Sequence, residues 1–571
     1  MGGQRHPEPG GQGFLEQPIS RRHLLKGLAA TIAVGAVLPL ASACGPVSQA
    51  PTTAPTQPAA AGKPVGTAAP GAQPVAQQAG ELKKGGSLKV AILGEPPALD
   101  IMFTTATVTR NTAWHMFETL YAPNSKMEPQ PFLAEKGDVS SDAKTWTFAL
   151  RKGIQFHNGK EMKAADVVAS LKRWGTMGAR GQVIAKRLET ITAKDDYTVV
   201  MTFKEPTGAT LLSFLAEGSS FVMPAEIAEK FPKDKLSEYI GTGPFEFVDH
   251  QPDRFVKLKR FEKYQPLDKP ADFAAGKRVP YVDEISFIPV PEGTVRADGV
   301  STGEYHFADD LNPDQVDSVK GQSNVTPVIV MPYYWLVYHF NKKEGIFAGP
   351  NGLKLRQAIL ASLSMEPLAK AGVGPQEFWR LGPDISAKEV AWHNSEAGAD
   401  VYNKPDPDKA KTLLKDAGYD GTPIRWMSTK EYFYNYNSSL PAKQQLEANG
   451  FKIDLQVMDW ATLVKRRSDP KEYDVFVTGH ESFNHPILQP YLASSWPGFW
   501  ENSERDQIVS AMFAEPDPAK VVDQVKKLQE LQWREVPCIK VCEYGKLQSA
   551  SKKLQGYDLK TDAFFWNVAL T

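Results

Sequence analysis

The sequence predicts an α/β fold with more than one domain. Strand-like and helix-like segments alternate along the chain, which is typical of α/β or α+β proteins. The part that can fold covers residues 81–571, roughly 490 residues, and a segment of that length is too long for one compact core. Hydrophobic residues make up 42% of the chain and charged residues 23%, an ordinary profile for a soluble protein.

The first half of this segment carries clear strand and helix patterns. Alternation of apolar and polar residues predicts strands at 87–93, 145–150 and 197–203. Helical spacing predicts helices at 106–120 and 163–174, the second one capped by the run 163–166.

The second half continues the mixed pattern. Helices are predicted at 354–362, 408–417 and 518–533, and strands at 331–340 and 536–544. The last strand carries Cys538 and Cys542, which would lie about 13 Å apart on a strand, beyond the reach of a disulfide. We therefore expect two buried free thiols, and the neighbouring sequence offers no further metal ligands.

Charge and motifs exclude several classes of function. The formal net charge of −1 gives no reason to expect a nucleic acid or an anionic membrane surface as partner. The chain has neither a Gly-x-Ser-x-Gly elbow nor a His-Glu-x-x-His motif, so an extracellular hydrolase has no support, although a carboxylate pair assembled by the fold stays open.

The amino-terminal segment has the pattern of an export signal. Arg21 and Arg22 precede an apolar run of about 14 residues, and small residues then lead to Cys44. The segment resembles a twin-arginine (Tat) signal followed by the lipobox of bacterial lipoproteins, which implies cleavage after residue 43 and a lipid on Cys44. The alternative is a membrane-spanning helix, which needs roughly 20 apolar residues.

Residues 44–80 are predicted to be a disordered linker. From residue 45 to residue 80 there is no aromatic or acidic residue, and Lys63 is the only charge. Such a segment cannot bury enough apolar surface to offset its chain entropy, and its prolines favour an extended spacer. A lipid on Cys44 would thus attach the folded part to the outer face of a cell membrane through a flexible linker.

Several motifs of the folded part resemble the family 5 solute-binding proteins, the peptide and nickel type receptors of ABC importers. The stretch LAEKGDVSSD at 133–142 and the stretch TWTFALRKGIQFHNG at 145–159 match the family signature. Further landmarks follow in family order and cover nearly all of the mature chain: KAADVV at 163–168, GTGPF at 241–245, the stretch 254–264, Phe340 with Asn341, LRQAI at 355–359, and DPDKAKTLLKDAGY at 406–419.

The resemblance implies a two-lobed periplasmic-binding-protein fold of type II, of the large cluster C type, with an extra subdomain in the first lobe. Lobe I would comprise residues 81–307 and the return segment 536–571, and lobe II would comprise residues 308–535. The chain would cross the hinge near residues 307–311 and 536–541. A ligand that touches both lobes favours the closed state by its higher affinity for that state.

Aromatic residues of lobe II are the first candidates for ligand contact. In a strand at 331–340, Tyr333 and Trp335 share one face and Tyr334 shares the other with Leu336, so about half of these rings belong to the core. We take Trp335 as the cleft residue of this strand. Trp426 and the cluster 432–436 come next, where Tyr434 can clamp an apolar ligand and Asn435 can fix a polar end; a packed loop is the alternative.

The loop 479–486 departs from the pattern of the peptide receptors. Where those proteins commonly carry Trp and then an acid for the peptide amino terminus, this chain has His480 and lacks the Asp-rich pattern. We expect His480, Glu481 and Phe483 to contact the ligand. Glu481 could pair with a ligand amine, but the missing acid favours a neutral or non-peptide solute. His480 and His485 could also suggest a metal, but no carboxylate or thiolate accompanies them.

Two further candidates complete the predicted site. Glu95 opens the loop 95–100 of lobe I, where Asp100 could instead cap the next segment, and Trp496 could close one end of the cleft or pack beneath the loop.

The sequence thus predicts a binding protein without catalysis or cofactor, monomeric, that delivers a small solute (a peptide, opine, sugar or chelate) to an ABC permease and its ATPase. A sensor or chaperone-like lipoprotein without a transporter is the alternative.

Overall fold

The computed structural model describes residues 82–571, except residues 105, 483–484 and 558–562 and the side chain of Ala461. The predicted signal, Cys44 and the predicted linker lie outside the described residues. Residues Gln78–Thr571 form one compact unit. Within the described residues, no helix is both long enough and apolar enough to cross a membrane.

Strands and helices interleave along the whole unit, as the α/β prediction requires. The strands are β1 (Ser87–Ile92), β2 (Tyr121–Pro123), β3 (Pro129–Pro131), β4 (Ala134–Val139), β5 (Thr145–Leu150), β6 (Leu188–Asp195), β7 (Thr198–Phe203), β8 (Phe245–Gln251), β9 (Phe255–Arg260), β10 (Glu284–Pro289), β11 (Phe307–Leu311), β12 (Val325–Phe340), β13 (Trp379–Arg380), β14 (Ile424–Ser428), β15 (Ile453–Val457), β16 (Val475–Glu481), β17 (Cys538–Ser551), β18 (Leu554–Gln555) and β19 (Ala569–Leu570).

The helices are α1 (Thr107–Ala113), α2 (Ala164–Met177), α3 (Ala179–Arg187), α4 (Thr210–Ala216), α5 (Ala225–Lys230), α6 (Gly293–Thr302), α7 (Val316–Lys320), α8 (Gly352–Ser362), α9 (Met365–Val373), α10 (Pro407–Asp416), α11 (Phe433–Ala448), α12 (Trp460–Arg466), α13 (Ser503–Ala514) and α14 (Pro518–Glu535). Short 3₁₀ turns lie at Pro313–Gln315, Gln376–Phe378, Pro486–Leu488 and Pro490–Leu492.

One large mixed sheet forms the centre of the unit. Its strand order is β15-β14-β16-β12-β17-β11-β1-β10-β9-β8, with β13 paired to β17. The long strands β12 and β17 run antiparallel in the middle and connect the two halves of the sheet. Every residue of β17 is buried, which fits a strand covered on both faces.

A separate antiparallel sheet, in the order β4-β5-β7-β6, lies in the first part of the chain. Its middle strands alternate between buried and half-buried residues, so one face packs on the core. Helix α2 packs beside it, and its first turn is held by the Asp166 carboxylate, which accepts a hydrogen bond of 2.8 Å from the Lys163 backbone N–H. This sheet is the extra subdomain that the resemblance led us to expect.

Two hydrophobic cores support the large sheet. The first contains Phe148 of β5 and Phe287 of β10, and the second contains Ile359 of α8 and Trp426 of β14. The first core also takes in Phe513 and other residues of α13 and α14, so the two predicted lobes touch along these helices.

The backbone is irregular at both predicted hinge crossings. Asp310 in β11 and Val536 before β17 have φ angles of 53° and 46°, which non-glycine residues seldom adopt. The register between β11 and β17 also shifts between Ala308 and Leu311. The exact limits of the lobes remain a prediction.

Most predicted elements lie where expected, with one clear exception. The helix predicted at 106–120 is wrong in its length, because α1 ends at Ala113 and the chain then turns into β2. Cys538 and Cys542 are free and buried in β17, and burial raises the pKa of the Cys538 thiol to about 12.

Candidate functional site: a cleft between two sets of residues

A cavity with about 610 Å³ of empty space, part of it open to solvent, lies between residues from two distant parts of the chain. One wall comes from residues of predicted lobe I and the other from predicted lobe II. The lining residues are Arg110, Trp114, Pro123, Met127, Ser213, Ala216, Glu217 and Phe273 on one side, and Tyr333, Tyr334, Glu481, His485 and Leu488 on the other.

Helix α1 provides two lining residues of the first wall. Arg110 lies in this helix and Trp114 directly follows its last residue, and residues four apart project from the same face of a helix. Trp114 stacks on Phe564, with ring centroids 4.9 Å apart, and its indole N–H donates to the Gly218 carbonyl at 3.2 Å. A Cβ on Gly218 would lie 1.8 Å from the Trp114 ring, so only glycine permits this placement of the indole.

Two adjacent tyrosines of β12 face the cavity from the second wall. The rings of Tyr333 and Tyr334 meet edge to face, with centroids 4.4 Å apart. Adjacent residues of a regular strand point to opposite faces, but the register of β12 against β17 shifts between Val330 and Tyr334. This irregularity breaks the alternation and explains how both rings reach the cavity.

Tyr334 is supported from behind by other tyrosines. Its ring stacks near Tyr544 of β17 with centroids 6.1 Å apart, and Tyr544 in turn lies 4.8 Å from Tyr434. The Tyr334 hydroxyl lies 3.4 Å from the Thr107 hydroxyl of the opposite wall. Tyr434, a predicted ligand residue, therefore backs the lining residue Tyr334 and does not line the cavity itself.

A chain of charges crosses the cleft at one end. The Glu481 carboxylate accepts from Arg110 Nη1 at 2.6 Å and from Arg180 Nη2 at 2.9 Å. Arg180 also pairs with Glu217, whose side chain is only 2% exposed. Burial acts to raise the pKa of Glu481, but the two guanidinium groups outweigh it and lower the pKa to about 2, so this acid stays ionised.

The predicted aromatic contacts of lobe II lie in the cores and not on the cavity. Trp335 is fully buried, with the Lys540 ammonium 5.5 Å from its ring centroid. Trp426 is buried in the second core, packs edge to face on Tyr338 at 4.8 Å and donates its indole N–H to the Ser439 hydroxyl. Trp335 thus has the core role that was expected for about half of the rings of this strand, and Trp426 is also a core residue.

Asn435 is also buried, on the first turn of α11. Its backbone carbonyl accepts from the Ser439 hydroxyl at 2.7 Å. Within the described part of the chain, neither atom of its side-chain amide has a hydrogen-bond partner. This residue is not among those that line the cavity.

His480 belongs to a buried aromatic cluster beneath the cleft. Its Nε2 lies 2.7 Å from Nε2 of His339, and Trp496 packs against both rings with centroids 5.4 and 4.9 Å away. Burial, with Arg467 nearby, lowers the pKa of His480 to about 3, so one neutral imidazole donates to the other. His480 and Trp496 thus pack behind the second wall.

The metal alternative gains no support from the geometry. His485 packs on Trp392, with ring centroids 4.7 Å apart, and its Nδ1 accepts from the Ile487 backbone N–H. Among the residues described here, no group of three or more His, Cys, Asp or Glu side chains could hold a metal ion.

The loop after β1 has a structural role in lobe I. The Glu95 carboxylate contacts His250 at 2.5 Å and accepts from the Asp253 backbone N–H at 3.0 Å, which fixes the turn between β8 and β9. Asp100 is fully buried and pairs with Arg173 at 2.6 Å. Glu95 is not among the lining residues, and Phe483 lies outside the described residues.

Sequence reasoning missed the whole first wall of the cavity. Of the predicted ligand residues, Glu481 lines the cavity, while Arg110, Trp114, Tyr333 and Tyr334 were not selected. One signal was present for two of them: Arg110 and Trp114 are four residues apart in a predicted helix, which places a cation and a large ring on one face.

Comparison with known proteins decides the family. Residues 128–496 match the model of the bacterial extracellular solute-binding proteins, family 5. This chain belongs to that family. Its members are binding proteins, and the role of this chain is accordingly to bind a solute outside the cytoplasm.

Several relatives of this family 5 protein are known. It is 29% identical over 487 residues to a probable peptide ABC transporter periplasmic-binding protein, y4tO of Sinorhizobium fredii, with 82% of this chain and 91% of the relative covered. It is 27% identical over 507 residues to the glutathione-binding protein GsiB of Escherichia coli K12, with 83% and 92% covered.

Solved structures confirm the fold of the family 5 protein. The agropinic acid complex of AgaA from A. tumefaciens R10 matches with a TM-score of 0.72 and 22% identity, over 85% of this chain and 99% of the other. DppA of Helicobacter pylori with the peptide STSA also gives 0.72, at 21% identity, over 86% and 98%. The fold is therefore the two-lobed type II periplasmic-binding-protein fold.

Proposed function

We propose that this protein is the extracytoplasmic binding component of an ABC importer, which captures a small solute between its two lobes and delivers it to the permease. The observation that carries the proposal is the cavity walled by both predicted lobes. A solute that touches Trp114 on one side and Tyr334 on the other gains contacts only when the lobes are closed. Such differential affinity shifts the protein toward the closed form that a permease can recognise.

The solute of this proposal is a peptide or a similar small molecule. The relatives are named for peptide and glutathione binding, and the structural neighbours hold agropinic acid and a peptide. In this chain, three aromatic rings (Trp114, Tyr333 and Tyr334) offer flat apolar surfaces with polar edges. They suit a solute with an apolar or planar face.

The proposal includes no catalytic step. Cys538 and Cys542 are buried in β17, and burial raises the pKa of each thiol well above its usual value, so neither is an activated nucleophile. The Glu481 carboxylate is held by two arginines and His485 is held neutral by burial, which lowers its pKa to about 3. These groups suit binding better than proton transfer.

The proposal also includes a lipid anchor. Cys44 would carry the lipid after removal of residues 1–43, and residues 44–80 would act as the flexible linker of a monomeric protein that meets its permease and ATPase partners at the membrane. We expect the Cys44→Ser variant of the full chain to move from the membrane fraction to the soluble fraction. Unchanged membrane association would contradict the anchor.

Native mass spectrometry of the compact unit Gln78–Thr571, purified without refolding, tests the binding role. We expect a discrete mass excess, which is lost when the protein is unfolded and which identifies the solute class. A bare protein whose melting temperature does not respond to peptides, opines, sugars or metal chelates would contradict the proposal.

A further inference from the structure

The charge chain across the cleft connects the two predicted lobes directly. Glu481 at the end of β16 belongs to predicted lobe II, whereas Arg110 of α1 and Arg180 of α3 belong to predicted lobe I. One carboxylate oxygen of Glu481 lies 2.6 Å from Arg110 and the other lies 2.9 Å from Arg180. The carboxylate therefore uses both of its oxygens on cations of the opposite lobe.

These ion pairs lie in a protected position. The side chains of Arg110, Arg180 and Glu481 are 14%, 26% and 23% exposed, so solvent and salt screen their attraction less than that of surface pairs. The pairs are charge-assisted hydrogen bonds, which are stronger than neutral ones. They also hold the pKa of Glu481 at about 2, so the pairing persists throughout the physiological pH range.

Arg180 is held in place from its own side of the cleft. Its other terminal nitrogen pairs with Glu217, and the Glu217 carboxylate also accepts from the Ser219 hydroxyl. All three residues belong to predicted lobe I, so their arrangement does not depend on Glu481. Arg180 thus presents a positioned N–H donor to the opposite lobe, which reduces the entropic cost of closing.

We propose that Glu481 forms an ionic latch with Arg110 and Arg180 that closes the lobes, and that the bound solute carries no ammonium group at this end of the cleft. This inference rests on the binding role proposed above and deepens it. A solute ammonium at Glu481 would be a third cation beside one carboxylate that two guanidinium groups already pair with, and the two arginines would repel it.

The latch changes what the solute must contribute to closure. A ligand alone needs about 10⁴-fold higher affinity for the closed form to convert a mostly open population into a mostly closed one. Ion pairs between the lobes supply part of this preference. The solute can then bind through the aromatic walls, without a charge at this end.

Inter-lobe distances test the latch without any ligand. Spin labels at Glu135→Cys and Lys411→Cys occupy exposed sites on the two predicted lobes, and the native thiols Cys538 and Cys542 are buried away from the label. Pulsed electron resonance on the unit Gln78–Thr571 then gives the distance distribution. We expect Glu481→Gln and Arg110→Gln each to lower the ratio of closed to open protein at least about threefold, a change of ~0.65 kcal/mol.

The matched control is Glu226→Gln, which breaks an ion pair with Lys160 inside lobe I, with both partners exposed. It removes the same charge without touching the lobe boundary, so its distance distribution should equal that of the wild type. Circular dichroism checks that each variant is folded. Identical distributions for the wild type, Glu481→Gln and Arg110→Gln would overturn the latch.

A pair of probes tests the ligand class. We would compare the dipeptide tyrosyl-leucine with its N-acetylated form by calorimetry, and we expect the acetylated form to bind at least as tightly. A free amine that binds more than about tenfold tighter, with the advantage lost in Glu481→Gln, would overturn this part. If the protein binds no solute, native mass spectrometry shows this. The distance measurement needs no solute and still tests the latch.

Discussion

At the scale of single residues, two large aromatic side chains of predicted lobe II have opposite environments. Tyr334 lines the cleft, while Trp426 is 1% exposed in the second core. We predict that Tyr334→Ala raises the dissociation constant of the solute at least about tenfold, because a wall of the cavity is lost. Isothermal titration calorimetry with the solute identified by mass spectrometry measures this effect.

Trp426→Phe is the matched variant and should leave the dissociation constant unchanged. It removes the hydrogen bond to Ser439 and leaves a space in the core, so the free energy of unfolding should fall by about 1–3 kcal/mol. Denaturant unfolding followed by circular dichroism measures the loss. Weaker solute binding by Trp426→Phe with unchanged stability would restore Trp426 as a ligand contact.

The type of a residue alone could not show which aromatic side chains of this chain line the cleft and which lie in the core. Trp335 and Tyr334 are neighbours of similar character on opposite faces of β12, and the sequence does not show which of the two faces meets the cavity. Glu481, which the sequence offered as a partner for a ligand amine, lines the cavity, and its contact with the ligand stays a prediction. Its two arginine partners, 371 and 301 residues away in sequence, could not be found by spacing.

At the scale of elements, a close contact joins the start of α4 to the end of α13, which belong to different predicted lobes. Gly208, just before α4, donates its backbone N–H to the Phe513 carbonyl at 2.5 Å. A Cβ at this position would lie only 2.1 Å from the Glu515 carbonyl oxygen, so the two segments would have to separate. Because these segments belong to different predicted lobes, the added methyl group disfavours the closed form.

We therefore predict that Gly208→Ala raises the dissociation constant of the solute at least about tenfold and lowers the closed fraction in the distance measurement. Gly94→Ala is the control, because nothing lies within 4 Å of an added Cβ there. Equal affinity in the two variants would show that α4 and α13 separate without affecting closure.

Helices and strands with a strong local sequence signal could be predicted well, but the residues at which they end could be predicted less well. Helix α10 begins where Asp406 accepts from the Lys409 backbone N–H and Pro407 follows, and both signals are visible in sequence. Helix α1 was predicted too long, since apolar residues from 114 to 120 keep helical spacing although the chain turns there. Those residues are buried on several sides, so the periodicity carried no information about helix length.

At the scale of the whole molecule, motif order along the chain predicted the fold better than any single element did. The landmarks between residues 133 and 419 occur in family order, and the family model matches residues 128–496. The wall contributed by α1 and α4 could not be predicted, because it depends on how two lobes approach each other. That approach is set by contacts such as Glu481 with Arg180, which only the folded chain reveals.

The cleft between the two predicted lobes is the solute site that we propose. A crystal structure of the unit Gln78–Thr571 with the solute identified by native mass spectrometry tests it most directly. We expect electron density for the solute between Trp114 and Tyr334, with Glu481 still paired to Arg110 and Arg180. Solute density elsewhere on the protein, with only water in the cleft, would show that the cleft is not the solute site.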